Sequence, residues 1–318
     1  MRGVIVAGGH GTRLYPLTLS SSKQLLPVYD KPMIYYALST LMLAGLKEIA
    51  IVCLKEEEDR FKQALKSSSD LGLSLEFFSQ PQSRGIVDAL LTVESFIDGH
   101  KVAMILGDNF FYESQLSKRL KNCVETLTGA TVFAYPVKDP RQYGNIEFFG
   151  SGKIKAIHEK PVEAYSPYVV PGLYFYDETV LEKSSSLNLS PRGELEVTDL
   201  NNLYLAERSL GVEMLGRGCA WIDMGTHERL LEAGQFISGV EKCTGLKIAC
   251  LEEVAYRNGY ISTEKFRNLS EICPNSSYGE YLKMLANELC PPAKESAEPE
   301  QFTVAAAAAD LLDFSAHP

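Results

Sequence analysis

The sequence predicts an α/β fold: a Rossmann-like, mostly parallel mixed sheet flanked by helices, with a small C-terminal helical part. Three observations predict it. Short β-branched runs alternate with helix-length segments through the first third of the chain, the pattern of βαβ units. The first of these runs empties into Gly8-Gly9, and the fourth ends in Gly107-Asp108-Asn109. Both loops therefore fall beyond the carboxyl ends of strands, where open parallel sheets bind ligands.

Gly3 to Ala7 reads as a buried strand feeding a glycine loop. Pro32 opens a predicted helix over 33–44, at the first helical position, with Gly45 as its stop. Glu48 to Cys53 is a second strand, and 56–66 a charged amphipathic helix. Ser74 to Phe78, a helix over 86–96 and a strand over Val102 to Leu106 follow. In the second half, strands are predicted at 131–136, 145–149, 172–176 and 211–215, and a helix over 192–205. After Gly239 the pattern turns helical and polar. From Pro291 the composition shifts to Pro, Glu, Ala and Ser and ends in an alanine run, Ala305 to Ala309, which reads as a linker plus weak helix or disorder. The resulting organisation is an α/β domain over 1–240 with halves meeting near residue 110, a helical regulatory or interface segment over 241–290, and a flexible tail over 291–318.

Composition excludes several classes. With 45 % hydrophobic and 23 % charged residues, the chain is neither wholly disordered nor collagen-like. Its longest apolar-leaning stretch, Met33 to Leu46, is too short for a membrane span of about 20 residues. Val4 to Ala7 is too short for a signal-peptide core, so a cytoplasmic, non-membrane protein is expected. A net charge of −10 without a basic block argues against nucleic-acid binding. It leaves room for a small phosphorylated ligand, which needs only a few local cations. The seven cysteines are odd in number and none are spaced C-x₂-C, which disfavours a disulfide framework or a zinc site and points to small buried hydrophobes.

The chemistry concentrates in the first loop. Gly9-x-Gly11 starts like a dinucleotide fingerprint, but the third glycine would fall at Leu14, and no Gly-Lys-Ser/Thr ending makes a Walker loop. Glycines let backbone N–H groups approach a phosphate, and Arg13 adds a permanently charged fork suited to its oxygens. Lys23 supplies a second cation. The plain alternative is a tight turn with a surface arginine.

The run Gly8-Gly9-His10-Gly11-Thr12-Arg13-Leu14, with Ser22-Lys23-Gln24-Leu25-Leu26-Pro27 and Lys31-Pro32-Met33 behind it, resembles the signature of sugar-1-phosphate nucleotidylyltransferases. Tyr29 to Tyr36 looks like the glucose-1-phosphate thymidylyltransferase branch of that family. Leu106-Gly107-Asp108-Asn109, Glu159-Lys160-Pro161, Arg192-Gly193-Glu194-Leu195-Glu196 and Trp221-Ile222-Asp223-Met224-Gly225 match in the same order, so the resemblance runs to about Tyr281.

The resemblance implies the nucleotide-diphospho-sugar transferase fold and transfer of a nucleotidyl group from dTTP to glucose 1-phosphate. The products would be dTDP-glucose, a first step toward dTDP-rhamnose or other deoxysugars, and pyrophosphate. It implies Mg²⁺ held by Asp108 and Asp223, and a homotetramer. It gives Gly8, Gly9, Gly11, Thr12, Arg13, Gln24, Gln80, Gly85 and Asp108 to the nucleotide. Asn109, Tyr143, Gly144, Glu159, Lys160, Gly172 and Arg192 go to the sugar phosphate. Arg13, Lys23, Lys160 and Arg192 are the implied catalytic cations. Arg217, Glu252, Glu253 and Arg257 resemble parts of a regulatory site, which Glu113 is expected to weaken. His10, Asp88, His158 and Pro171 depart from the family pattern and leave the base and sugar preference open. The alternatives are the same chemistry with UTP or another hexose 1-phosphate, a catalytically silent binding subunit, and a nicotinamide oxidoreductase. The presence of Arg13, Lys23, Asp108, Lys160 and Asp223 together counts against the silent subunit.

Overall fold

The computed structural model describes residues 1–80, 84–273 and 275–289; Cys290 and the expected tail over 291–318 lie outside them. Two compact units are present, Met1–Ser262 and a second that starts at Thr263.

In chain order the first unit contains β1 (Arg2–Val6), β2 (Pro27–Val28), β3 (Lys31–Pro32), α1 (Ile34–Leu43), β4 (Glu48–Leu54), α2 (Glu58–Ala64), β5 (Ser74–Gln80), α3 (Ile86–Thr92), α4 (Glu94–Ile97), β6 (Val102–Leu106) and β7 (Asn109–Tyr112). It continues with α5 (Leu116–Thr126), β8 (Ala130–Pro136), β9 (Gly144–Phe148), β10 (Ile154–Glu159), β11 (Tyr168–Val169), β12 (Leu173–Tyr176), α6 (Val180–Ser185), α7 (Val197–Ala206), β13 (Leu210–Met214), β14 (Ala220–Asp223), α8 (His227–Thr244) and α9 (Leu251–Arg257). The second unit is described as a helix pair, α10 (Thr263–Ile272) and α11 (Ser277–Leu289), whose Phe266 and Leu282 are buried.

The strands β5-β4-β1-β6 form the parallel half of the main sheet. Their centres, such as Val4, Ile5, Ile51 and Met104, are fully buried, because helices cover both faces. Beyond β6 the sheet turns antiparallel through β12 and β8 toward β11, β9 and β10, while β13 pairs with β8 in parallel. The predicted mostly parallel mixed sheet with flanking helices is therefore present. On one face, Val87, Leu90 and Ile97 of α3 and α4 pack on Val4, Ala50 and Val102. On the other, Gly3 lets α1 approach: a Cβ there would meet Ile49 and Leu41 at 3.0 Å.

A second, small ribbon pairs β7 with β14 and places Asp223 opposite Asn109. A separate apolar cluster, including Met33, Tyr36, Phe110, Ile222, Met224 and Ile237, packs this ribbon between α1 and α8. Among the described residues no helix is long and apolar enough to cross a membrane.

Several elements differ from expectation. Pro32 lies in the β2–β3 hairpin, paired with Pro27, and α1 starts two residues later. The hairpin is held by charge, as described below, and that tertiary anchor overrides the local helix signal. The helix over 86–96 breaks at Val93, which caps α3 and precedes α4. The stretch 192–196 is not helical: Gly193 takes a φ of +74° and α7 begins at Val197. α8 begins at His227, well before Gly239. Cys53, Cys123 and Cys250 are buried as small hydrophobes.

A buried ion cluster fastens the hairpin to α8. Lys31 pairs with Asp30 and, at 3.5 Å, with Glu241, while Lys247 pairs with Asp30 at 2.7 Å and Glu241 at 2.8 Å. Lys31 and Glu241 are almost fully buried, and Glu241 also accepts from the Ile248 N–H at 2.9 Å. Alternating charges give each ion two opposite partners, which offsets the desolvation cost. Burial raises the Asp30 carboxyl, but hydrogen bonds and charge from Lys247 and Lys31 outweigh it and hold the group below its ordinary 3.8. Its stabilising contribution is full above that value and is lost as pH falls through the lower folded value. Asp30→Asn should therefore cost about 1–3 kcal/mol at pH 7 and progressively less at more acid pH. Urea unfolding at both pH values tests this, and an equal loss at each would contradict it.

Candidate active site

The glycine loop leaves β1 at Val6, and Ala7 still bonds to the Val52 carbonyl at 2.7 Å. Gly11 takes a left-handed φ of +62° and starts a single tight turn over Thr12–Leu14. A Cβ on Gly11 would lie 2.9 Å from Thr18 and 3.0 Å from Lys23, so glycine is required for both reasons. The turn buries Leu14 and leaves Thr12 and Arg13 exposed at the crevice. His10 is exposed at the loop tip.

Asp108 stands directly beyond β6, buried, with its Oδ2 on the Lys23 ammonium. Its Oδ1 accepts from Asn109 Nδ2 at 3.0 Å. Asn109 Oδ1 in turn accepts from the Gly172 N–H at 3.0 Å and from Trp221 Nε1 at 2.6 Å. The Asn109 amide thus joins three strand ends around Asp108. Gly172 allows this approach, since a Cβ there would meet Asn109 Oδ1 at 2.9 Å and Leu106 at 2.6 Å.

Asp223, at the end of β14, lies beside Asp108, whose backbone carbonyl accepts from the Met224 N–H at 2.9 Å. Burial above all, and then the Asp108 charge, push the Asp223 carboxyl up to about 7, against the pull of Lys23 and Arg13. Burial also raises Asp108, but the Lys23 charge and hydrogen bond leave it lowered overall. Arg13 reaches this pair across Gly225, where a Cβ would lie 2.7 Å from Nη2 and 3.0 Å from Asp223 Oδ1.

A cavity of about 610 Å³ opens from this charged end. Thr12, Arg13, Asp108 and Asp223 line it together with Asn109, Tyr143, Gly144, Glu159, Lys160, Gly172 and Arg192. All seven expected sugar-phosphate residues are thus gathered with both expected metal ligands. Glu159, ending β10, accepts from Thr198 Oγ1 at 2.6 Å and pairs with Lys160 and Arg192 at 3.4 Å. Lys160 is about half exposed, at the rim. Arg192 also pairs with Glu194 at 2.7 Å.

Other expected residues stand outside the cavity wall. Lys23 acts on it through Asp108. Gln24 is buried, accepts from Ser22 Oγ at 2.8 Å and packs against Gly107. Gln80 is buried at the end of β5 beside Gly8, and Gly85, at φ +103°, packs against the Leu195 carbonyl. Glu196, Thr198 and Trp221 line the cavity without an expected role. Trp221 and Glu196 fall within matching sequence motifs, whereas nothing in the sequence marks Thr198.

A second cavity, of about 430 Å³, lies among α1, β7, α5 and the α8–α9 region. Glu113, Glu253 and Arg257 line it; Glu252 and Arg217 do not. Arg257 pairs with Glu253 at 2.7 Å, and Glu113 with Arg119 at 2.9 Å.

The glycine loop and Asp108 thus leave adjacent parallel strands, with Asp223 of the β7–β14 ribbon beside Asp108 and cations along the same polar crevice. Residues 2–239 match the Nucleotidyl transferase family, and the chain belongs to it. Within that class, it is similar to glucose-1-phosphate thymidylyltransferases. The Neisseria meningitidis protein is 48 % identical over 285 residues, covering 90 % of this chain and 99 % of that one. The Mycobacterium tuberculosis protein is 44 % identical over 282 residues, covering 89 % and 98 %. Among solved structures, a Bacillus anthracis protein assigned as a glucose-1-phosphate thymidylyltransferase, in complex with sucrose, superposes with a TM-score of 0.69 at 37 % identity, covering 74 % of this chain and 94 % of that one. A UDP-glucose pyrophosphorylase complexed with UDP-glucose gives 0.66 at 25 %, covering 75 % and 98 %.

Trp221 donates to Asn109 and meets Tyr143 edge-on at 5.2 Å inside the cavity. A ligand that fills the cavity should change its emission. Titration with glucose 1-phosphate is expected to give a saturable fluorescence change that Trp221→Phe abolishes. A flat titration of a protein that turns the sugar phosphate over would remove Trp221 from the site.

Proposed function

We propose that this protein transfers a thymidylyl group from dTTP to glucose 1-phosphate, giving dTDP-glucose and pyrophosphate. The observation that carries this reading is one cavity lined by the buried Asp108–Asp223 pair, with Arg13 and Lys23 beside it, and by a second charged group, Lys160, Arg192 and Glu159. Two anionic substrates need cations, and both groups offer them.

A phosphate oxygen of glucose 1-phosphate attacks the α-phosphorus in line. The new P–O bond forms as the bond to the bridging oxygen breaks, and its electron pair leaves with pyrophosphate. The nucleophile is already an anion, so no covalent intermediate or general base is needed. Catalysis then rests on positioning and charge. In this reading Arg13 holds the triphosphate and takes up the charge of the leaving pyrophosphate, and Lys23 adds its charge from behind Asp108. Lys160 and Arg192 place the sugar phosphate, and Glu159, oriented by Thr198, accepts from a sugar hydroxyl.

The donor set suits Mg²⁺. Two adjacent buried carboxylates, one of them raised by burial and then by its neighbour's charge, make a place that a hard cation would neutralise. Held by Asp108 and Asp223, Mg²⁺ would offset the repulsion between the two substrates. The proposed assembly is a homotetramer, which light scattering would check.

Pyrophosphate release with Mg²⁺, glucose 1-phosphate and either dTTP or UTP tests the reading, with EDTA as control. Metal-dependent release favouring dTTP is expected, and a preference for UTP would reassign the base. Asp108→Asn and Asp223→Asn should each lower turnover by about 100-fold or more while circular dichroism shows both variants folded. Near-normal turnover in both would remove the metal assignment. Arg13→Lys should also be costly, because a point charge cannot replace the planar fork.

A further inference from the structure

Gln80 is a buried amide with an unusual partner. It ends β5, and only 1 % of the residue is exposed. Its Nε2 donates to Asp88 Oδ2 at 2.7 Å. Asp88 sits in the first turn of α3, and its other oxygen faces Arg84 at 3.5 Å. Among the described residues none donates to Gln80 Oε1. That oxygen points at the glycine loop, 2.8 Å from where a Cβ on Gly8 would stand.

An amide can be turned over, exchanging its donor and acceptor ends, at almost no cost in shape. A carboxylate only accepts. With Asp88 as partner, the turned amide would set two oxygens against each other in a buried place, which is strongly disfavoured. An asparagine or glutamine at 88 could satisfy either orientation. We propose that Asp88 is a positioning residue that locks the Gln80 amide, so that its acceptor end, Oε1, stays turned toward the glycine loop at Gly8. This rests on the reading that Gln80 faces the base. The locked acceptor pairs with a pyrimidine carrying a ring N–H, such as thymine or uracil. It opposes cytosine, whose ring nitrogen at that position is itself an acceptor. Asp88 therefore sets the class of base, while leaving thymine and uracil to be separated by other contacts.

The test compares kcat/KM for dTTP and dCTP, with glucose 1-phosphate fixed and saturating. The parent should strongly favour dTTP. In Asp88→Asn, which has nearly the same shape, the dTTP:dCTP ratio should fall by about tenfold or more. The loss should appear in the nucleotide KM, with the glucose 1-phosphate KM unchanged. Asp88→Glu, which keeps an acceptor-only group, should restore most of the ratio. Calorimetric binding of dTTP and dCTP should follow the same order without turnover. Gln80→Ala separates the two levels of the argument. If it weakens dTTP use while Asp88→Asn leaves the ratio at the parent value, Gln80 reads the base and the lock is refuted. If Gln80→Ala changes neither nucleotide, Gln80 does not face the base and the inference falls with that reading. A drop in Asp88→Asn that affects glucose 1-phosphate equally would show general loosening and also overturn it.

Discussion

Two carboxylates buried side by side are the constraint around which this fold is arranged. Like charges at contact distance repel by about 4 kcal/mol even at an effective dielectric near 20. Asp108 and Asp223 come from strand ends far apart in sequence, so the fold must hold them together against that force. The β7–β14 ribbon supplies the register, and Asn109 and Lys23 hold Asp108. Burial first, and then the repulsion that remains, are expressed in the raised Asp223 carboxyl. Such a pair is a poor device for stability alone. It makes sense as a place prepared for positive charge.

The rest of the crevice follows from strand ends and close approaches. β1 and β6 are adjacent and parallel, with Val6 beside Leu106, so the glycine loop and Asp108 leave the sheet at the same level. Gly172 and Gly225 then admit side chains where a methyl group would collide: Asn109 at one, Arg13 at the other. The side proposed for the sugar phosphate is built differently, on the antiparallel half of the sheet, where Glu159 ends β10 and takes its orientation from Thr198 on α7. Two kinds of pairing within one sheet thereby bring two sets of charges to a single cavity.

The hairpin that follows Lys23 is fastened independently. Lys31, Asp30, Glu241 and Lys247 close a buried charge cluster between the hairpin and the end of α8. The same helix packs Ile237 onto the apolar cluster that carries Ile222 and Met224, the neighbours of Asp223. One helix therefore braces both the segment that carries Lys23 and the ribbon that carries Asp223.

Much of this was legible in the residues. Alternation of apolar runs and helical segments gave the parallel core, because strands buried on both faces read as continuous β-branched stretches. The glycine loop, Arg13 and Asp108 stood out because few structures other than a phosphate crevice need them after a buried strand. Elements set by distant partners were not legible. Pro32 enters a hairpin because a buried ion cluster lies behind it, and 192–196 opens with a tight turn at Gly193 although its composition suits a helix. Thr198 and Glu196 join the site only through the placement of α7. Local sequence determines which segments can be strands and which loops can meet phosphate, since those depend on period and backbone freedom. Only tertiary structure decides which side chains meet across the sheet, because burial and charge act between residues that the chain keeps far apart.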